Sequence, residues 1–382
     1  MRGTAYHYSV KLFSALLLFA VSAYASPRSL FDGKTLQGWE MSGPRRTAST
    51  ENGQLRISGR GHAPNWVHTQ AEFEDFQLRF EYKLAQWAEA AVLLRAPRTD
   101  RPQQAGLAII LAHDFHNETT PYITGAIAGA KSPLHTFPPS FEVWHTVEIQ
   151  ARGSRLKVVI DGITTQDLDL AADPLLEHRL RRGVIGFPDM GYAYSLRKIE
   201  IEDFGSPTRF VPLTGIAQWG KRGDSGEWQE HGDTIEGANG HSILYAPQEF
   251  GNFELTTAVR SHNRVNSGIF LRGQPTGPNR GFEVQIYSTV DSVYPTGSIY
   301  GRSRSTLQAE LEERWFLLQI RVVGGTCRVW VDGEAVAAFD ALPREVLAPG
   351  RVGLQIHLVG NVELRLPEPD RPRADVRNVP LA

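Results

Sequence analysis

Apolar and polar residues alternate in short runs along most of this chain. In the run from Phe76 to Leu84 every second residue is apolar, and the residues between are polar or charged. Such a period of two predicts a strand with one buried and one wet face. Similar runs cover residues 146–151, 156–160, 198–201, 316–322 and 327–331. Since helical periodicity is confined to the neighbourhoods of residues 170–181 and 305–314, we predict an all-β chain of antiparallel strands, packed as sandwiches or jelly rolls.

Matching segments occur twice in the same order, which predicts two tandem domains. The segment from Gly268 to Arg272 repeats the segment from Ala91 to Arg95, and Asp332-Gly333 repeats the hairpin turn Asp161-Gly162. Turn-forming residues cluster between the two copies. The predicted organisation is a first β-sandwich domain at residues 28–204, a second at residues 208–366 and an irregular tail at residues 367–382.

The N-terminus has the features of a secretory signal. Arg2 and Lys11 precede an apolar run from Leu12 to Tyr24, and the run ends in Ala23-Tyr24-Ala25. A membrane span is the alternative interpretation, but a bilayer needs about 20 apolar residues and this run is shorter. We therefore expect residues 1–25 to be a cleaved signal peptide and the mature protein to be periplasmic or secreted.

Charge and cysteine content exclude several classes of partner and site. The chain has 40 lysine and arginine residues against 42 aspartate and glutamate residues, with the two signs interspersed. A formal net charge of −2 makes nucleic acid an unexpected partner. Cys327 is the only cysteine, so the chain can form neither an internal disulfide nor a thiolate metal cluster. Its strand position predicts a buried structural thiol.

Five segments together resemble a known family. They are the opening Leu30–Trp39, then Asn266–Arg272, Gly281–Ile286, Thr296–Tyr300 and Gly353–His357. The set is similar to the 3-keto-disaccharide hydrolase domain family, and the resemblance covers both copies. It implies a concanavalin A-like jelly roll, export in bacteria and hydrolysis of sugars oxidised at C3.

The two copies differ on one predicted strand face. In the second copy Glu283 and Gln285 alternate with core residues, and Gln355 and His357 do the same on a later strand. A hairpin is expected to bring Arg272 beside Glu283, and Tyr300 lies near them in the sequence pattern. The first copy retains only the arginine, as Arg95, and has Ala108, Ile110, Ala128 and residues 188–190 at the other positions. We expect its apolar face to be covered by the second copy or a loop, because exposed apolar area costs about 25 cal/mol per Å².

The family resemblance suggests a role for each residue of this face. Abstraction of the C2 proton, loss of the C1 oxygen and addition of water need a base, an enolate stabiliser and an acid. His357 or Glu283 is the candidate base, Arg272 the stabiliser and Tyr300, or the other titratable group, the proton donor. Gln285 and Gln355 are candidate substrate-binding residues that orient hydroxyl groups.

A divalent metal ion is an alternative way to polarise the ketone. The segment from His113 to Glu118 contains imidazoles and carboxylates, and His135 is a candidate third ligand. The spacing matches no established metal signature, so the sequence leaves the metal requirement open.

Other functions remain alternatives to this hydrolase. Jelly rolls also serve as carbohydrate-binding modules without turnover, and fold alone does not decide between these functions. Arg272 and Glu283 would then be only a surface ion pair, worth about 0 to 1 kcal/mol. Ordinary glycoside hydrolysis would need two carboxylates, and only Glu283 is well placed. A scaffold protein would show a large apolar patch instead of a polar cluster.

Overall fold

The computed structural model describes residues 26–61, 65–99, 101–112, 118–209, 211–213, 215–232, 234–262, 264–278, 280–287, 292–365 and 375–378. The predicted signal peptide and most of the His113–Glu118 segment lie outside these ranges. Within them, no helix has the length and apolar character needed to cross a membrane.

The N-terminal half contains thirteen strands and one short helix among its described residues. The helix, α1, spans Pro102–Ala105. The strands are β1 (Arg28–Ser29), β2 (Trp39–Ser42), β3 (Ala48–Glu51), β4 (Gln54–Ser58), β5 (Trp66–Thr69), β6 (Asp75–Leu84), β7 (Glu89–Ala96), β8 (Leu107–Ala112), β9 (His145–Arg152), β10 (Arg155–Ile160), β11 (Ile163–Asp169), β12 (Val184–Pro188) and β13 (Ala193–Gly205).

These strands form two antiparallel sheets that enclose one core. The first sheet has the order β11-β10-β9-β6-β13-β4-β3, with β1 paired to β13, and the second has the order β2-β5-β12-β7-β8. On β6 the apolar residues from Phe76 to Leu84 are buried and the residues between them are not, as the alternation predicts. The all-β sandwich prediction is confirmed.

The C-terminal half contains twelve strands among its described residues, joined in one curled sheet. They are β14 (Val211–Pro212), β15 (Gly220–Gly223), β16 (Glu227–His231), β17 (Thr234–Phe250), β18 (Phe253–His262), β19 (Asn266–Gly273), β20 (Phe282–Ile286), β21 (Phe316–Val323), β22 (Thr326–Val331), β23 (Glu334–Phe339), β24 (Gly350–Arg365) and β25 (Asp375–Asn378).

Two long strands connect the two layers of this sandwich. The last residues of β24 pair with β18, whereas residues 351–357 pair with β19. Strand β17 follows β24 along both parts, and its register shifts between Ala238 and Gly240. Because each strand passes from one layer to the other, the sheet folds over a shared core that includes Cys327. Burial raises the pKa of the Cys327 thiol to about 12, which confirms the predicted structural thiol.

The two segments with helical periodicity do not form α-helices. The first contains only a 3-10 turn at Leu170–Ala172, and the second contains turns and extended chain. Further 3-10 turns occur at Ile216–Gln218 and Arg344–Val346. Tertiary contacts explain the first case, because residues 177–179 contact both halves of the molecule and are held in an irregular path.

This irregular path forms a seam between the halves. Arg321 donates to the Glu177 carboxylate at 2.8 Å and to the Glu177 carbonyl at 3.0 Å. The His178 ring stacks on Trp330, with ring centroids 5.4 Å apart, and Gln319 donates to the His178 carbonyl at 2.8 Å. Burial lowers the pKa of His178 to about 4, with nearby Arg179 as a second cause, so the stacked imidazole is neutral near pH 7.

Candidate functional site

The candidate site lies on the sheet face opposite the C-terminal core. Strand register places Tyr245, Gly353, Phe270 and Glu283 in one row across β17, β24, β19 and β20. The next row contains Ile243, Gln355, Gly268 and Gln285, and a third contains His241, His357 and Asn266. The face predicted from the sequence is therefore present, apart from its arginine.

Glu283 is buried against a glycine. Glu283 is 8% exposed, and burial alone raises the pKa of its carboxyl group to about 8. A Cβ atom at Gly268 would lie 2.1 Å from Glu283 Oε1, so the missing side chain of Gly268 provides the space for the carboxyl group. A carboxyl group with this pKa can both accept and release a proton near neutral pH.

Hydrogen bonds connect Glu283 to the far end of the face. With its nitrogen toward Glu283, the Gln285 amide donates to Glu283 Oε1 at 3.0 Å and to the Ser267 carbonyl at 3.1 Å. The other atom of this amide lies 3.1 Å from the Asn266 amide. Asn266 reaches His357 Nδ1 at 3.5 Å, and the His357 ring contacts the ring of His241. The contacts to Glu283 and Ser267 fix the orientation of the Gln285 amide.

His357 does not touch Glu283. The two residues are two strands and two rows apart, which separates their backbones by roughly 16 Å at standard sheet spacings. Burial lowers the pKa of His357, and the neighbouring His241 acts in the same direction. His357 therefore belongs to the same face as Glu283 but lies at its opposite end.

Tyr245 is a member of the site that the sequence analysis missed. Its ring lies over Gly353 and reaches Gly273, where an added Cβ would be 2.6 Å from the phenol oxygen. The hydroxyl group is buried and has no hydrogen-bond partner among the described residues. Burial raises the pKa of Tyr245 to about 12, and Glu283 contributes to the same shift. In the sequence, Tyr245 stands between the core residues Leu244 and Ala246, and this alternation could have identified it as a residue of the opposite face.

Tyr300 and Gln355 flank the row that contains Tyr245 and Glu283. The Tyr300 backbone N–H donates to the Glu283 carbonyl at 2.9 Å, and the tyrosine is 50% exposed beside the ring of Tyr294. Gln355 Oε1 is buried without a partner among the described residues. Buried polar atoms usually have a hydrogen-bond partner, so this oxygen is free to accept a hydrogen bond from a ligand or water.

Arg272 lies apart from this face, so the prediction that it sits beside Glu283 is wrong. It is 1% exposed and donates to the carbonyl groups of Gly251, Gly324 and Val346 at 2.6–3.0 Å. Its backbone is left-handed, with φ 54°, and the register with β24 shifts at this point. This bulge breaks the strict alternation on which the prediction rested. Arg272 is a structural residue.

Arg95 has the same structural role in the N-terminal half. It donates to the Glu74 and Gly153 carbonyls at 2.6–2.9 Å, and its φ is 48°. The arginine at the matching position of each half therefore serves the fold, because each one donates to backbone carbonyl groups.

The equivalent face of the N-terminal half is an apolar cleft of about 450 Å³. Its lining includes Ala91, Leu93, Ala108 and Ile110, each of them buried. The sequence predicted that this apolar face is covered. Only part of it is covered, by α1 and nearby segments of the same half, and Tyr122 and Met190 lie at the rim of the cleft. Ala91 and Ala108 stand at the positions that match Gly268 and Glu283, so methyl groups line this face where the other half has a glycine and a carboxyl group.

No group of three or more His, Cys, Asp or Glu side chains in the described part of the chain could hold a metal ion. The candidate ligands His113, Asp114 and His116 lie outside the described residues, and His135 is exposed. The metal alternative stays a prediction.

Sequence comparison decides the family. A family model described as the 3-keto-alpha-glucoside-1,2-lyase-like domain matches residues 26–202 and 213–366. The chain belongs to this family. The match covers both halves, in agreement with the predicted resemblance. A search of curated proteins finds no match.

Several solved structures are similar to parts of this chain. A Parabacteroides distasonis protein described as a candidate glycosyl hydrolase is 18% identical, with a TM-score of 0.41, over 47% of this chain and 100% of its own. A second such protein from the same organism is 15% identical, with a TM-score of 0.40, over 46% and 93%. The carbohydrate-binding module CBM66 from Bacillus subtilis is 13% identical, with a TM-score of 0.31, over 44% and 96%.

Proposed function

We propose that this protein is an exported hydrolase that cleaves 3-keto-glycosides, including 3-keto-disaccharides, at its C-terminal site. Family membership supports the substrate class. The observation that carries the proposal is Glu283, a carboxyl group with a pKa of about 8 on a polar sheet face whose counterpart is apolar.

The reaction begins with proton transfer from C2 of the substrate to the Glu283 carboxylate. The C3 ketone makes this proton acidic, and the electrons form a C2–C3 enolate. The enolate then expels the C1 oxygen, which leaves as the aglycone alcohol after it gains a proton. A C1–C2 double bond forms and the C3 ketone is restored. Water adds its hydroxyl to C1 and a proton returns to C2, giving the free 3-keto sugar.

Neighbouring side chains supply the remaining functions. The neutral Tyr245 hydroxyl is a donor for the enolate oxygen, in place of Arg272, since its pKa keeps it protonated. Tyr300 is the candidate donor to the leaving oxygen. Gln285 and Gln355 orient sugar hydroxyls, and His357 contacts the part of the substrate that extends along the third row.

Product analysis with oxidised and unoxidised substrates tests this function. The protein is incubated with 3-keto-glycosides and with the parent disaccharides, with and without a chelator. Release of 3-keto-glucose from the oxidised substrates alone is expected, with kcat/KM rising through pH 8 as Glu283 loses its proton. Glu283→Gln should abolish release, whereas Glu334→Gln, at an exposed position of the same half, should not. Turnover of the parent sugars, or full activity of Glu283→Gln, would contradict the proposal.

A carbohydrate-binding module without turnover is the second candidate. It is favoured by the exposed ring of Tyr300 beside Tyr294, because such rings can stack on sugars. Calorimetry that detects tight sugar binding, together with no product from any oxidised substrate, would support this function over the first.

A further inference from the structure

A polar groove runs along the edge of the N-terminal half, away from the candidate site. Its wider part, about 670 Å³, is lined by β3, β4 and the loops beside them. A second part of about 330 Å³ continues toward β6. The two parts share Glu51, Arg56 and Ala193, so they form one continuous groove.

Positive charge dominates this groove although the whole chain has a net charge of −2. Among the described residues of the lining, five cationic residues face two acidic ones, and Glu51 and Glu142 are each already paired with one cation of the groove. The buried Asp189 behind Ser58 accepts hydrogen bonds from Ser58 and Gly61. The cations are Arg45, Arg46, Arg56, Arg60 and Lys83.

Two of these arginines are available to a ligand. Arg46 and Arg60 are exposed, and neither makes a side-chain ion pair or hydrogen bond among the described residues. Arg45 donates to the Arg60 carbonyl at 3.0 Å, which ties the two loops together. A planar guanidinium group binds carboxylate or sulfate oxygens in pairs, so the cluster suits an anionic ligand.

The rest of the lining suits a sugar polymer. Strand register aligns Ser49, Arg56, Ser195 and Lys83 in one row across four strands, so hydroxyl groups and cations alternate. Asn52 and Gln54 add amide groups. Nucleic-acid grooves add aromatic rings on which bases stack, whereas Tyr194, the aromatic residue among the described residues of this lining, is buried.

We propose that this groove binds an acidic polysaccharide, with Arg46 and Arg60 pairing its carboxylate or sulfate groups. The site is separate from Glu283 and does not depend on the proposed hydrolase activity. It would hold the protein on a charged glycan while the C-terminal site acts on small sugars.

Affinity electrophoresis of the full chain tests the proposal, in gels that contain polygalacturonate, dextran sulfate or neutral dextran. Retardation is expected with one or both acidic polymers, is lost at high salt and is absent with dextran. The polymer that retards the protein identifies carboxylate or sulfate as the preferred group. Arg46→Gln/Arg60→Gln should weaken binding about tenfold, which corresponds to roughly 1.4 kcal/mol.

A charge-matched control separates a built site from general attraction. Arg155→Gln/Arg344→Gln removes the same charge from exposed positions elsewhere and should leave binding unchanged. Equal losses in the two double variants would overturn the proposal, as would equal retardation by dextran. Tighter binding to vesicles of phosphatidylglycerol than to either acidic polymer would overturn it in favour of a membrane surface. Thermal melts confirm that each variant is folded.

Discussion

At the scale of single residues, Glu283 shows how burial sets chemical character. Its carboxyl group has a neutral amide donor beside it and no cation as a cause of its pKa, so the cost of burying the charge is not offset. Gly268 makes the burial sterically feasible, because any larger residue would occupy the carboxyl position. Burial of Glu283 therefore lowers the stability of the folded state above neutral pH, and it gives a carboxyl group that can accept a proton near neutral pH.

Glu283→Gln should stabilise the protein at alkaline pH. The folded-state pKa of about 8 exceeds the ordinary value of 4.5, so between these values the folded state binds more protons than the unfolded state and stability falls as pH rises. The variant removes this loss, which is on the order of several kcal/mol above pH 8. Thermal melts at pH 5 and pH 9 should show a gain only at pH 9. A similar gain at both values would mean that Glu283 is not buried as a neutral acid.

Tyr245→Phe should impair turnover without loosening the fold. The variant removes a donor that has no other partner, so the free energy of unfolding should change little. We expect kcat on a 3-keto-glycoside to fall roughly 100-fold with a small change in KM. Tyr192→Phe, at an exposed position of the N-terminal half, is the control. An unchanged kcat would remove Tyr245 from the mechanism.

At the scale of strands, glycine and register decide which side chains meet. Gly353 and Gly268 occupy adjoining rows of β24 and β19, where Gly353 leaves space for the Tyr245 ring and Gly268 leaves space for the Glu283 carboxyl group. Phe270 lies between Tyr245 and Glu283 in their row. The N-terminal half has Ala91 in the place of Gly268 and Ala108 in the place of Glu283. The absence of a side chain is thus as important to the site as the residues that carry functional groups.

Gly268→Ala should displace Glu283 while the fold is retained. The added methyl group meets the flexible carboxyl end at 2.1 Å, so the side chain can rotate toward water. We expect kcat/KM to fall roughly 100-fold and its pH profile to shift toward acid as Glu283 becomes hydrated. Gly325→Ala has only ordinary contacts and serves as control. A profile with its midpoint still near pH 8 would show that the carboxyl group had not moved.

Alternation explains both the success and the failure of prediction at this scale. It correctly placed Glu283, Gln285, Gln355 and His357 on one face, because β20 and β24 are regular there. It failed at Arg272, where a left-handed residue interrupts the period, and no residue type in the sequence marks that bulge. The separation of His357 from Glu283 depended on strand order, which one sequence does not specify.

At the scale of the whole molecule, the seam couples the two halves. Arg321 pairs with Glu177 of the N-terminal half and with Glu254 of its own half, so one guanidinium group holds carboxylates from both. Gly333 brings its backbone against the Gln104 carbonyl, where a Cβ would be 2.2 Å away. The apolar cleft and the seam therefore share the segment around α1.

Arg321→Ala should separate the unfolding of the two halves. The change leaves two carboxylates without their shared cation, at an expected cost of about 1–3 kcal/mol. We expect differential scanning calorimetry to show one transition for the parent protein and two for the variant. Arg328→Ala removes an exposed pair with Asp340 and should leave the single transition in place. One transition for Arg321→Ala, merely shifted, would argue against a role in coupling.

The buried arginines have a practical consequence for anyone who inserts foreign segments into this protein. Arg272 fastens the connections at Gly251, Gly324 and Val346 to a single guanidinium group, and Arg95 does the same at Glu74 and Gly153. A tag or reporter placed beside any of these carbonyl groups would pull it away from a buried cation. Insertions are better tolerated in loops that these two arginines do not reach.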